Sequence, residues 1–171
     1  MPRSSLPAPA SGVMIRPHPF TPNTLTAQDN HFQTSAARDV VTVAEAARAE
    51  VTRATDALRA AGVRVHLFED EGTATPDSVF PNNWFSTHSG GHVAVYPMYS
   101  LNRRPERRQD VLEMLKHDYR VQDIIDYSGL EQDNLFLEGT GAMVIDHLER
   151  VAYAARSKRT SEILLERFCP H

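Results

Sequence analysis

Cysteine is nearly missing from this chain: Cys169 is the single thiol among 171 residues, which excludes an intramolecular disulfide framework and suits a reducing compartment. Long apolar runs are missing too. No stretch approaches the ~18 consecutive apolar residues of a membrane span. The N-terminus carries Pro2, Pro7 and Pro9 among Ser and Ala, not the apolar core of a signal peptide. Together these absences predict a cytoplasmic protein with no membrane partner. The net charge of −4 has no block of like charge behind it, and the basic residues are spread through helical patterns. That excludes a nucleic-acid groove and leaves small polar substrates as the better match. His18, His31, His88, His92, His117 and His147 share no HxxxH-type spacing with a third ligand, and the GxGxxG and Walker phosphate loops are absent. Neither a metal nor another cofactor is expected.

What is present is 41% hydrophobic content over 171 residues, enough for one ordinary α/β domain with a real core. Residues 1–11, mostly Pro, Ser and Ala, read as a loose tail; residues 12–171 form the domain. Val13-Met14-Ile15 is a short strand that stops at Pro17 and Pro19. From Asp39 to Ala60 the apolar residues Val40, Val43, Ala44, Ala47, Val51, Ala54 and Leu58 recur at three and four, which predicts a helix ended by Gly62. Val63, Val65 and Leu67 alternate as a strand. Phe80 to Phe85, the Ser89-Gly90-Gly91 turn and His92 to Tyr96 make a hairpin. Pro105 sits just inside a helix reaching Tyr119, and Ile124-Ile125 is a strand. Ala142 to Ile145 and Val151 to Ala154 form a second hairpin, before a helix from Thr160, its N-cap, to Phe168.

The order hairpin, basic group, helix thus occurs twice. Asp77-Ser78-Val79-Phe80-Pro81-Asn82-Asn83 has a diverged copy, Asp133-Asn134-Leu135-Phe136-Leu137-Glu138-Gly139, 56 residues later (133 − 77 = 56), with Asn82 opposite Glu138. Such a period marks a repeating supersecondary unit that cannot bury its apolar face alone. Two such units plus the opening strand-helix-strand fill the chain. The next unit's strand is missing after Phe168, so the pattern predicts a shortened chain with exposed strand edges that favour homo-oligomerisation or aggregation.

The repeat also points to chemistry. Asp77, after Pro76, reads either as a turn former or as a strand-end carboxylate facing a pocket, and Asn82 and Asn83 carry the same ambiguity. Glu138 opens Glu-Gly-Thr-Gly, an acid before glycines that permit close approach. A carboxylate there repels phosphate and suits a cationic planar group. Arg103, Arg104 and Arg159 each follow a strand, where a surface charge or a partner for the far end of a zwitterionic ligand would sit. Cys169 follows an amphipathic helix and is expected to pack as a buried thiol, since only His171 is near enough to lower its pKa.

Several stretches carry a resemblance: Met14-Ile15-Arg16-Pro17, Asn30-His31-Phe32-Gln33, Pro76 to Trp84, Leu137 to Met143 and Ala152 to Thr160. They resemble the guanidino-group-modifying enzymes, or penteins, which include arginine deiminases, amidinotransferases and dimethylarginine dimethylaminohydrolases. The branch most similar is the citrulline utilization hydrolase. The resemblance implies an α/β propeller, here about three of its five strand-helix units, with a central site where a Cys thiolate attacks a guanidinium or ureido carbon and His serves as acid and base. By motif, Asp77 would hold a substrate nitrogen, Phe80 would line the pocket, Glu138 would be the catalytic acid of the Glu-Gly-Gly-Asp segment, and Arg159 would grip the substrate carboxylate. Arg103 or Arg104 is a second candidate for that grip. Related hydrolases carry acids where this chain has Asn82 and Asn83, which implies a neutral ureido group such as citrulline's.

In that family the catalytic His and Cys come later, and Cys169 is not in the nucleophile's place. The expectation is therefore the N-terminal part of a Cys-dependent hydrolase of citrulline or arginine-like substrates, inactive by itself. The alternative is a non-catalytic fragment acting as a ligand-binding or assembly module.

Overall fold

Strand β1 (Ser11–Pro17) and strand β2 (Arg64–Asp70) lie parallel, in register from Ser11↔Arg64 to Pro17↔Asp70. Helix α1 (Val40–Ala60) makes the crossover that a parallel pair requires. The structure is a computed structural model that describes residues 9–27 and 40–169. The first eight residues of the expected tail, the Asn30-His31-Phe32-Gln33 segment, Asp39 and His171 lie outside the described residues. Order begins earlier than Val13: β1 starts at Ser11, and the Arg64 N–H donates to the Ala10 carbonyl at 3.0 Å. The chain divides into two compact units, the first ending at Phe80 and the second beginning at Pro81.

In unit 1, α1 buries Val51 and Thr55 and packs on β1 and β2, whose buried residues include Ile15 and Val65. The expected face included Ala54 and Leu58, but Ala54 is exposed and Leu58 is 39% exposed. The i, i+4 step from Val51 leads to Thr55, whose hydroxyl reaches the Met14 sulfur at 3.5 Å. A hydroxyl with a partner can occupy a core position that an apolar-only count passes over. Beside this core, Arg16 grips Glu69 through Nε at 3.0 Å and through a second, shorter contact from Nη2, and His18 Nε2 lies 2.8 Å from the same carboxylate.

The hydrogen bonds from Arg16, with a smaller contribution from His18, draw the Glu69 carboxyl down from 4.5 to about 2. Glu69 therefore binds its proton less tightly in the folded state than in the unfolded chain. Its contribution is complete above about pH 4.5 and is lost as pH falls through 2. Unfolding midpoints compared across pH for the wild type and Glu69→Gln are expected to differ by a constant, small amount near neutrality and to converge between pH 4.5 and 2. A gap persisting below that window would show that the carboxylate's charge is not the source.

Unit 2 opens with a single 3-10 turn over Pro81–Asn83, then strand β3 (Phe85–His88) and strand β4 (His92–Val95), antiparallel. Gly91 lies at φ 86°, and a Cβ there would come within 2.2 Å of the Arg120 carbonyl. That close approach lets the Gln122 N–H reach the Gly91 carbonyl at 2.8 Å and sets strand β5 (Asp123–Asp126) parallel to β4. The sheet order is β3-β4-β5. A 3-10 helix over Leu101–Glu106 and helix α2 (Gln109–Asp118) make the β4–β5 crossover. Pro105 lies inside the 3-10 segment and not at the start of α2, because Arg107 and Arg108 are extended and break the helical path.

The second repeat follows as helix α3 (Gly139–Ala142), the antiparallel strands β6 (Met143–Asp146) and β7 (Val151–Ala154), and helix α4 (Glu162–Phe168). Ser161, not Thr160, is the N-cap of α4, since Thr160 is engaged in a bridge to Leu137. The core of unit 2 joins both repeats: Ala94, Tyr96, Tyr127, Leu137, Met143 and Leu164 are buried together. The architecture is mixed α/β, and no helix among the described residues is long and apolar enough to cross a membrane.

Candidate functional site

Residues 136–138 run between two other extended segments of unit 2. On one side Ser161 N–H donates to the Phe136 carbonyl at 2.7 Å and Glu138 N–H to the Arg159 carbonyl at 3.2 Å. On the other, Leu137 N–H donates to the Pro97 carbonyl at 3.3 Å. The polar backbone is thus paired on both flanks, and the side chain of Glu138 is carried inward until it is fully buried.

A buried carboxylate requires partners, and Glu138 has four. Its Oε1 accepts the Tyr99 N–H at 3.0 Å. Its Oε2 accepts Asn83 Nδ2 at 3.3 Å and lies 3.6 Å from Arg159 Nη1 and 3.9 Å from Arg103 Nη1. Arg103 is itself 3% exposed and clamped by Glu106, through Nε at 3.0 and 3.2 Å and Nη2 at 2.8 Å. Two carboxylates and two guanidiniums therefore form one charge-balanced chain, Glu106–Arg103–Glu138–Arg159. Among the described residues, Arg159 Nη2 is buried with no hydrogen-bond partner.

The structure brings Glu138, Asn83, Arg103 and Arg159 together and disposes the other candidates differently. Asn82, expected opposite Glu138, donates its Nδ2 to the Thr140 hydroxyl at 2.9 Å, and the neighbour that reaches Glu138 is Asn83. The reason is register. The first strands of the two hairpins, β3 and β6, begin 58 residues apart (143 − 85 = 58), which sets Asn82 opposite Thr140 and Asn83 opposite Gly141. Arg104 turns away from Glu138: its Nε donates to the Met98 carbonyl at 3.1 Å, it pairs with Glu131 at 3.3 Å, and its guanidinium lies 5.9 Å from the Phe136 ring centre.

Asp77 and Phe80 belong to unit 1. Asp77 sits in a turn over residues 76–79, where its Oδ2 accepts Asn23 Nδ2 at 2.7 Å, and its carbonyl receives the Phe80 N–H at 2.9 Å. Phe80 is 48% exposed. Cys169, expected buried, is exposed at the end of α4. Among the described residues no group of three or more His, Cys, Asp or Glu is placed to hold a metal ion.

Sequence reasoning missed Glu106, the Tyr99 amide and Asn23. Only Glu106 left a trace, its i, i+3 spacing from Arg103. The same spacing occurs at Glu113 and Lys116, an exposed surface pair.

The family model of eukaryotic N,N dimethylarginine dimethylhydrolase matches residues 16–171. No curated protein matches the chain by sequence. Among solved structures, the substrate-bound N-terminal domain of ArgZ, an arginine dihydrolase from the ornithine-ammonia cycle in cyanobacteria, matches with a TM-score of 0.62 and 18% identity. That match covers 92% of this chain and 54% of the other. A dimethylarginine dimethylaminohydrolase in adduct with S-methyl-L-thiocitrulline matches with a TM-score of 0.59 and 16% identity, over 91% of this chain and 54% of the other. The citrulline complex of the enzyme from Pseudomonas aeruginosa gives 0.58 and 15%, over 88% and 52%. At these identities the likeness is one of fold, and the chain spans about half the length of each.

Proposed function

The chain belongs to the N,N-dimethylarginine dimethylhydrolase family, within the pentein superfamily of guanidino-group-modifying enzymes, and from that premise we propose that residues 12–171 hold the substrate for a Cys-dependent hydrolysis. The bond attacked is at the ureido or guanidino carbon of citrulline or an arginine-like amino acid. In this reading the repeats are about three of the five units of an α/β propeller. The thiolate and imidazole that the reaction needs are assigned to no residue of this stretch, so its own part is recognition. Asp77 holds a substrate nitrogen and Phe80 supplies an apolar wall.

The observation that carries the reading is the environment of Glu138, a fully buried carboxylate bracketed by Asn83 and two arginines. Its charge is already matched by the guanidiniums beside it, so that cluster has no surplus negative charge to offer a cationic guanidinium. A neutral ureido group, as in citrulline, meets no such deficit. Arg159 Nη2, buried without an acceptor, supports a role in binding the substrate's carboxylate. Arg103 is saturated by Glu106 and acts by fixing the cluster, while Arg104 is taken up by Glu131. Asn82 contributes through its hydrogen bond to the Thr140 hydroxyl.

Calorimetric titration of the purified chain tests this. Citrulline is expected to bind saturably and more tightly than arginine, and Arg159→Gln to weaken it roughly tenfold or more with an unchanged circular dichroism spectrum. Tighter binding of arginine, or no saturable binding of either amino acid, would overturn the assignment.

A further inference from the structure

A cavity of about 400 Å³ opens in unit 2 at the C-terminal end of α4, between the two hairpins and β5. We propose that it binds a small carboxylate anion with a planar, apolar body. It shares no residue with the Glu138 cluster, so the proposal is independent of the citrulline reading.

Shape and apolar character come from Phe168, whose ring centre lies 5.8 Å from that of His88 and 6.4 Å from that of Tyr127, with Ile125 and Ile145 completing the wall. Aromatic faces at these distances accept a flat guest by offset or edge contacts. Although the chain's net charge is −4, no Asp or Glu among the described residues lines the cavity, whereas Arg150, His88, His147 and His92 do, the last with its Nδ1 on Asp123 at 2.5 Å.

Tyr127 adds a built donor. The residue is 7% exposed, and its hydroxyl is buried with no hydrogen-bond partner among the described residues. A buried, unpaired hydroxyl is costly unless something accepts from it. His88 adds a ring held in place: its Nε2 lies 2.6 Å from Ser86 Oγ, which in turn lies 2.6 Å from the Tyr96 hydroxyl. Burial lowers the His88 pKa, as do His147 and His92, which favours the neutral imidazole. A buried hydroxyl with no partner among the described residues and a guanidinium around an aromatic pocket fit an aryl carboxylate and disfavour cations.

Titration of the isotope-labelled 171-residue chain with 2-naphthoate, followed by proton-nitrogen correlation spectra, tests the proposal. Saturable shifts are expected at Val93, Ile125 and Ile145, with the neutral isostere 2-naphthamide binding roughly tenfold more weakly. Tyr127→Phe keeps the ring and removes only the unpaired hydroxyl, so it is expected to fold normally. It and Arg150→Gln should each weaken 2-naphthoate several-fold, and Arg150→Gln should leave 2-naphthamide unaffected. Equal binding of acid and amide, unaltered binding in both variants, or shifts confined to residues outside the cavity would each overturn the proposal.

Discussion

Glu138→Ala is expected to lower stability by about 3–5 kcal/mol, a large share of the 5–15 kcal/mol typical of a domain. The loss has two sources. The Tyr99 N–H and the Asn83 amide lose their acceptor, and the chain of alternating charge is cut, leaving Arg103 on Glu106 and taking from Arg159 the carboxylate it pairs with. Arg159 Nη2 is buried with no hydrogen-bond partner among the described residues, so a guanidinium stripped of this carboxylate cannot recover hydration there without opening the structure. Glu138→Gln keeps an acceptor for the Tyr99 amide but not the charge, so its loss should fall between those of the wild type and Glu138→Ala. Urea unfolding measures both, with the slope expected to stay constant. A Glu138→Ala midpoint within about 1 kcal/mol of wild type would mean that the arginines are satisfied elsewhere.

Gly139→Ala is the second large effect, about 2–4 kcal/mol, the sum of a left-handed backbone cost and an overpacking cost. Gly139 has φ +33°, and a Cβ there would lie 2.3 Å from the Asn82 carbonyl and 3.2 Å from the Tyr96 ring. The neighbour is backbone and cannot rotate aside, so the turn over Pro81–Asn83 must move away from α3 and take the Asn83–Glu138 hydrogen bond with it. The change should therefore appear in thermal unfolding and as a shift of the Asn83 side-chain amide resonance. Gly129→Ala is the control: a Cβ there meets nothing within 4 Å, and its effect should stay within about 0.5 kcal/mol. Equal stabilities of the two variants would refute the close approach.

Much of this fold is legible in the sequence because periodicity reports burial. Alternation gave β2, the three-and-four pattern gave α1, and the glycine turn gave the β3–β4 hairpin. What failed did so for local physical reasons. Thr160 satisfies every sequence rule for an N-cap, yet its pairing with Leu137 moves the helix start one residue on. The cluster around Glu138 was legible in membership and not in wiring. Glu138, Asn83, Arg103 and Arg159 could be named, but Glu106 could not, because an Arg-x-x-Glu spacing looks the same whether it lies in water or in the core. The step of 56 taken from the Asp-x-x-Phe motif failed by two residues. That motif in its first copy begins in the turn over residues 76–79, whereas the first strands of the hairpins begin 58 residues apart.

The parallel pairing of β1 with β2 also has a consequence in time. Each hairpin of unit 2 joins its strands across a short turn, and such closures take on the order of 1–10 µs. Ser11 meets Arg64 only across 53 residues (64 − 11 = 53), with α1 between them. That pairing must wait for loop closure and for a helix to dock, so it falls among the slow, non-local events of folding. Arg16 and Glu69, brought together by the same register, therefore form their ion pair late, and their substitution should speed unfolding while leaving the refolding rate nearly unchanged.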